Sequence, residues 1–116
     1  MTTLEAAAAN FVTSYHSDRA LVDEQQGWSP VIALIADDTG DAVTLALRDG
    51  QVAEIFNGRA AREVNVEIRS DHATLCDILE LRRGPNEPYL FGELTVQGPE
   101  ADFVRLDYIV SRLCPV

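Results

Sequence analysis

The chain contains no lysine. Its positive charge rests on nine basic residues, all arginine, against nineteen acids, giving a formal net charge of −10. A summed field of that sign repels phosphates, so the counterion release that drives DNA and RNA binding is closed to it, and an anionic bilayer repels it for the same reason. Histidine and cysteine are scarce, with only His16, His72, Cys76 and Cys114. The two cysteines are far apart and lack CxxC spacing, which predicts reduced, packed thiols in a cytoplasmic protein. No run approaches the roughly 18 apolar residues of a membrane span. The start, Met1-Thr2-Thr3-Leu4-Glu5, has neither a basic segment nor a long apolar one, so no signal peptide is expected. A P-loop, a Gly-x-Ser-x-Gly elbow, HExxH and a GxGxxG between strand and helix are all missing from the sequence.

What is present is the balance of an ordinary globular domain: 116 residues, 47% hydrophobic and 24% charged. The expectation is one domain over residues 1–116, with an N-terminal helix at 1–18, a connector at 19–30, a sheet with an inserted helix at 31–98 and a C-terminal helix at 99–114. Acid concentrates in the first half: residues 1–58 hold nine acids and two arginines, the remainder ten acids and seven arginines. A solvated surface accounts for this, and a protein partner docking on the acidic half is the alternative.

Leu4, Ala8, Phe11, Val12 and Tyr15 recur at three and four, one apolar face of a helix capped by Thr2 or Thr3. Residues 19–30 lose that period and close on Ser29-Pro30. Val31-Ile32-Ala33-Leu34-Ile35-Ala36 is a continuous apolar run that reads as a central strand covered on both faces. Val43 to Leu47 and Val52 to Phe56 flank Asp49-Gly50, a strong hairpin signal, so an antiparallel meander is expected. After a polar crossing, the alternation from Val64 to Ile68 predicts a fourth strand. Ser70 or Asp71 caps a helix that buries Leu75, Ile78 and Leu79, with Cys76 alongside, before Gly84-Pro85 stops it. Residues 84–91 allow one helical turn, and residues 92–97 predict a fifth strand. Pro99 suits the first turn of a last helix carrying Phe103, Leu106, Val110 and Leu113. The fold class is α+β, one mostly antiparallel five-stranded sheet with three or four helices on one face.

Candidate chemistry is sparse. His72 lies one helical turn before Cys76, the only local arrangement of a base and a thiol. Its structural alternative is an exposed helix-start histidine beside a packed cysteine. Asp37-Asp38-Thr39-Gly40-Asp41 resembles the opening of a calcium loop, but Arg48 stands where the bidentate glutamate would be, which favours an acidic hairpin turn. The aromatics do not alternate with arginine as a nucleic-acid stacking surface requires. No catalytic residue, metal site or cofactor is expected.

The element order from Trp28 onward, with its punctuation, resembles the sterol carrier protein type 2 domain family. The likeness is carried by the meander from Val31 to Phe56 with Asp49-Gly50 inside it, by Val64-Asn65-Val66-Glu67-Ile68 before Ser70-Asp71, and by Phe91-Gly92-Glu93-Leu94-Thr95-Val96-Gln97-Gly98. It covers about three-quarters of the chain, and Pro99 departs from the family's usual acidic residue. The resemblance implies helices over one sheet face and an apolar tunnel between the layers for a fatty acyl chain, sterol or acyl-coenzyme A. Leu75, Ile78, Leu79, Leu90, Phe91, Phe103 and Leu106 are the expected ligand-binding residues, with Arg82 and Arg83 left to meet any coenzyme phosphate. A small soluble carrier without covalent chemistry is therefore expected. The alternative is a protein-interaction or regulatory module with a filled tunnel.

Overall fold

The computed structural model describes residues 2–59 and 63–114. The polar crossing before the fourth strand lies partly outside the described residues, as do residues 115 and 116. Helix α1 spans Leu4–Ser17 and is capped by Thr3, whose hydroxyl accepts from Ala6 N. Its Leu4, Ala7, Ala8, Phe11 and Tyr15 are buried. A second helix, α2 (Arg19–Glu24), occupies half of the expected connector. Asp18 explains it: the carboxylate accepts from Leu21 N at 3.1 Å, and Leu21 and Val22 enter the core. Six residues are too few for apolar periodicity to announce a helix, so the cap was its one local signal.

Strands β1 (Val31–Ala36), β2 (Ala42–Arg48) and β3 (Gln51–Asn57) form the expected meander. Asp49 and Gly50 both have positive φ, 53° and 83°, as a two-residue hairpin of the favoured hand requires. The sheet runs β3-β2-β1-β4-β5, so β1 is central, and Ile32 through Ala36 are all buried. Strand β4 (Val66–Ser70) lies parallel to β1; every other pairing is antiparallel.

Strand β4 begins two residues later than its alternation suggested. Asn65 is taken up in holding the entry to β1: its side-chain oxygen accepts from Val31 N at 2.8 Å and its own N–H donates to Val31 O. Strand β5 (Thr95–Gln97) is half the expected length. Gly92 turns the chain with φ +76°, Glu93 N donates to Pro88 O, and Leu94 drops into the core before pairing begins.

Helix α3 (His72–Leu79) is capped by Asp71, which accepts from Thr74 N at 2.7 Å. It stops well before Gly84. Leu81 takes φ +64° while Arg82 N reaches back to Asp77 O and Leu81 N to Ile78 O, a Schellman-type ending usually given to glycine. One turn, α4 (Asn86–Leu90), follows, and α5 (Glu100–Leu113) closes the chain with Pro99 at its cap position. The inner sheet face presents Ile32, Leu34, Val43, Leu45, Val66 and Ile68 to one apolar cluster shared with α1, α3 and α5. Helix α1 lies on β2 and β3, and α3 on β1.

Candidate functional site

Five of the seven expected ligand-binding residues meet in that cluster. Leu75, Ile78 and Leu79 come from α3 and Phe103 and Leu106 from α5, each at most 8% exposed. The other two do not lie between sheet and helices: Leu90 is 71% and Phe91 75% exposed. In a five-residue helix only one side can face inward, and here Pro88 does so. Absent from the expected set is α1, whose Leu4, Ala7, Ala8, Phe11 and Tyr15 wall the same cluster from the α3 side. The periodicity of α1 was visible, but which helix shares a core with which is a property of the assembled layers.

Tyr89 links the interior to the surface. Its ring meets Phe103 at 4.9 Å between centroids, inclined at 49°, while its own side chain is 44% exposed. The exposed Leu90 and Phe91 follow Tyr89 directly in the chain.

The polar candidates turn out to be structural. His72 is buried rather than exposed: Nε2 lies 2.6 Å from Thr2 O, which places a proton on that nitrogen, and Nδ1 lies 3.1 Å from the Thr39 hydroxyl. The Cys76 thiol donates to the same Thr2 carbonyl at 3.7 Å instead of to imidazole. Burial, reinforced by the Glu80 carboxylate, pushes the thiol pKa up, so the reactive thiolate is disfavoured.

The acidic turn after β1 is likewise occupied. Asp38 accepts from His72 N at 2.9 Å, Asp41 accepts from Leu4 N and Ala42 N, both at 2.9 Å, and Asp37 pairs with Arg69 at 3.1 Å. One turn therefore ties down the starts of α1 and α3, and its carboxylates are engaged by protein donors. Asp18, Glu24 and Asp49 have equivalent tasks, accepting from Leu21 N, Tyr108 Oη and Gly27 N. These bonds give six of the nine acids in residues 1–58 an internal function. Arg82 is held by Asp77 at 2.7 Å and Glu80 at 3.1 Å, while Arg83 stands 3.8 Å from Glu87 and 3.7 Å from Glu93. A phosphate would have to compete with carboxylates at both. Among the described residues no group of three histidines, cysteines or acids could hold a metal ion, and no helix is long and apolar enough to cross a membrane.

Two surface grooves flank the helices. One of about 370 Å³ lies between α1 and the end of α3, lined by Asn10, Thr13, Ser14, Glu80 and Arg82 with Leu79 and Leu81. The other, about 410 Å³, runs between the end of α2 and α5 beside Gln25, Val104, Arg105 and Tyr108. Polar side chains contribute to both, and neither involves the Tyr89–Phe103 pair.

No protein-family model matches the sequence, and no curated protein does. Solved structures do match. A crystal structure of sterol carrier protein 2 superposes with a TM-score of 0.68 at 22% identity, covering 96% of this chain and 95% of that one. Palmitated SCP2L2 from Aedes aegypti gives 0.57 at 15% identity, with coverage of 84% and 91%. The stereoselective inverting sec-alkylsulfatase Pisa1 from Pseudomonas sp. gives 0.62 at 17% identity over 76% of this chain, which spans only 14% of the sulfatase. At these identities the likeness is one of fold, and it extends over nearly the whole of both chains: the chain has the sterol carrier protein 2 fold.

Proposed function

We propose that the protein binds an apolar ligand, a fatty acyl chain or a sterol, between its helical layer and the sheet, and carries it without covalent chemistry. The observation that carries this reading is the Tyr89–Phe103 pair, in which a half-exposed ring packs on a buried member of the apolar cluster of α3 and α5. A ligand taken up between the layers would pack against the buried Leu75, Ile78, Leu79 and Leu106 of that cluster. Each methylene it buries contributes about 0.8 kcal/mol, so a long chain needs no ionic anchor. The palmitated neighbour of the same fold supports an acyl ligand. A non-enzymatic role is supported by the internal use of His72 and the raised thiol pKa of Cys76.

The test is titration of the purified protein with a fluorescent fatty acid, alongside native mass spectrometry for co-purified lipid. Saturable binding is expected. Phe103→Ala should weaken it at least tenfold, and Leu79→Arg should do the same, each measured on protein that still unfolds cooperatively. No binding across a panel of fatty acids and sterols, together with a lipid-free native mass, would overturn the proposal.

A further inference from the structure

We propose that the tip formed by Tyr89, Leu90 and Phe91 docks the protein on the surface of a zwitterionic lipid bilayer. This rests on the apolar-ligand reading, because a ligand entering beside Phe103 would be exchanged with the bilayer there. The three residues are consecutive and 44%, 71% and 75% exposed. Most of the chain's other large apolar side chains are buried. Among the described residues the other exposed large apolar side chains are Val104 and Tyr108, and the Tyr108 hydroxyl is bound to Glu24.

The tip is held firmly. Tyr89 rests on Phe103, Pro88 is buried, Glu93 N donates to Pro88 O at 2.8 Å, and Asn86 N donates to Asp107 at 3.2 Å. Insertion therefore orders little that is not already ordered.

Area separates a bilayer from a second copy as the occupant. Side chains of about 150–250 Å² at these exposures offer roughly 300–450 Å², about half of the ~800 Å² per partner that a stable interface buries. That suits shallow, reversible insertion of a few apolar groups into the headgroup boundary. Charge selects the lipid. Arg83 stands between Glu87 and Glu93, which leaves no cationic surplus at the tip, and the net charge of −10 repels an anionic leaflet.

The experiment is flotation of the full chain with phosphatidylcholine vesicles, with and without phosphatidylglycerol. The native chain should float with phosphatidylcholine. The double variant Leu90→Asp, Phe91→Asp should float at least tenfold less while keeping the native unfolding midpoint. Phosphatidylglycerol should reduce flotation at low salt and cease to do so at high salt. A native chain that binds fluorescent fatty acid in vesicle-free solution yet never floats overturns the docking proposal alone; one that does neither removes the ligand reading with it. Equal flotation of the double variant, or sedimentation showing a native dimer that the double variant abolishes, would also overturn it.

Discussion

Replacing Tyr15 with phenylalanine removes one oxygen and leaves everything around it in place. That oxygen donates to the carbonyl of Gly50 in the β2–β3 turn, and Tyr15 is 1% exposed. Burial raises its pKa to about 12, so the hydroxyl is a neutral donor at any physiological pH. The Gly50 carbonyl has little freedom to find another partner. Gly50 N is bound to Trp28 O at 2.8 Å, and a Cβ on Gly50 would lie 2.7 Å from Gln25 O, so the turn is pressed against the α2 end. The phenylalanine ring would keep its stacking on Phe11, 5.9 Å between centroids, and no cavity opens. The cost is then that of one buried unpaired carbonyl, about 1–3 kcal/mol. For a domain of this size that lowers the melting temperature by roughly 4–12 °C. Thermal and urea unfolding followed by circular dichroism measure it directly. Tyr15→Ala should cost more, about 3–5 kcal/mol, because it adds a cavity. A Tyr15→Phe midpoint within 1 °C of the native value, or one as low as that of Tyr15→Ala, would refute the reasoning.

The neighbouring His16 makes stability depend on pH. Its Nε2 accepts from Val52 N at 3.1 Å, and burial, followed by the Arg19 charge, lowers its pKa below the ordinary 6.5. The folded state thus takes up its proton later than the unfolded one. Stability should be full above about pH 6.5 and should fall as the pH drops from there through the lowered value, and His16→Gln should flatten that slope in urea unfolding between pH 7 and 5. Asp71 adds a second, more acidic loss: its bond from Thr74 N holds the carboxyl below its usual range, so Asp71→Ala should cost about 1 kcal/mol at pH 7 and much less near pH 2. Gly98→Ala should destabilise by at least 2 kcal/mol, since φ is +131° and the new methyl would overlap the Asn65 carbonyl oxygen and sit 3.1 Å from Val66 Cα. A Gly98→Ala chain as stable as the native one would show that β4 and β5 do not hold that close approach.

The sequence by itself determined the elements whose signals are local. The three-and-four spacing of Phe11 and Tyr15, or of Phe103 and Leu106, needs only a helix to become a face, and Asp49-Gly50 needs only its own φ preferences to make the hairpin. Wherever a residue was claimed by a distant partner, only the tertiary structure decided. Asn65 leaves the alternating strand because Val31 needs its side chain, and the Asp37–Asp41 carboxylates are caps because the starts of α1 and α3 arrive beside them. His72 is buried because Thr2 and Thr39 satisfy both its nitrogens. Composition could say that Leu90 and Phe91 are apolar. Only the packing of Pro88 and Tyr89 against the rest of the fold decided that both face outward, because a short helix has one buried side and the tertiary contacts choose which.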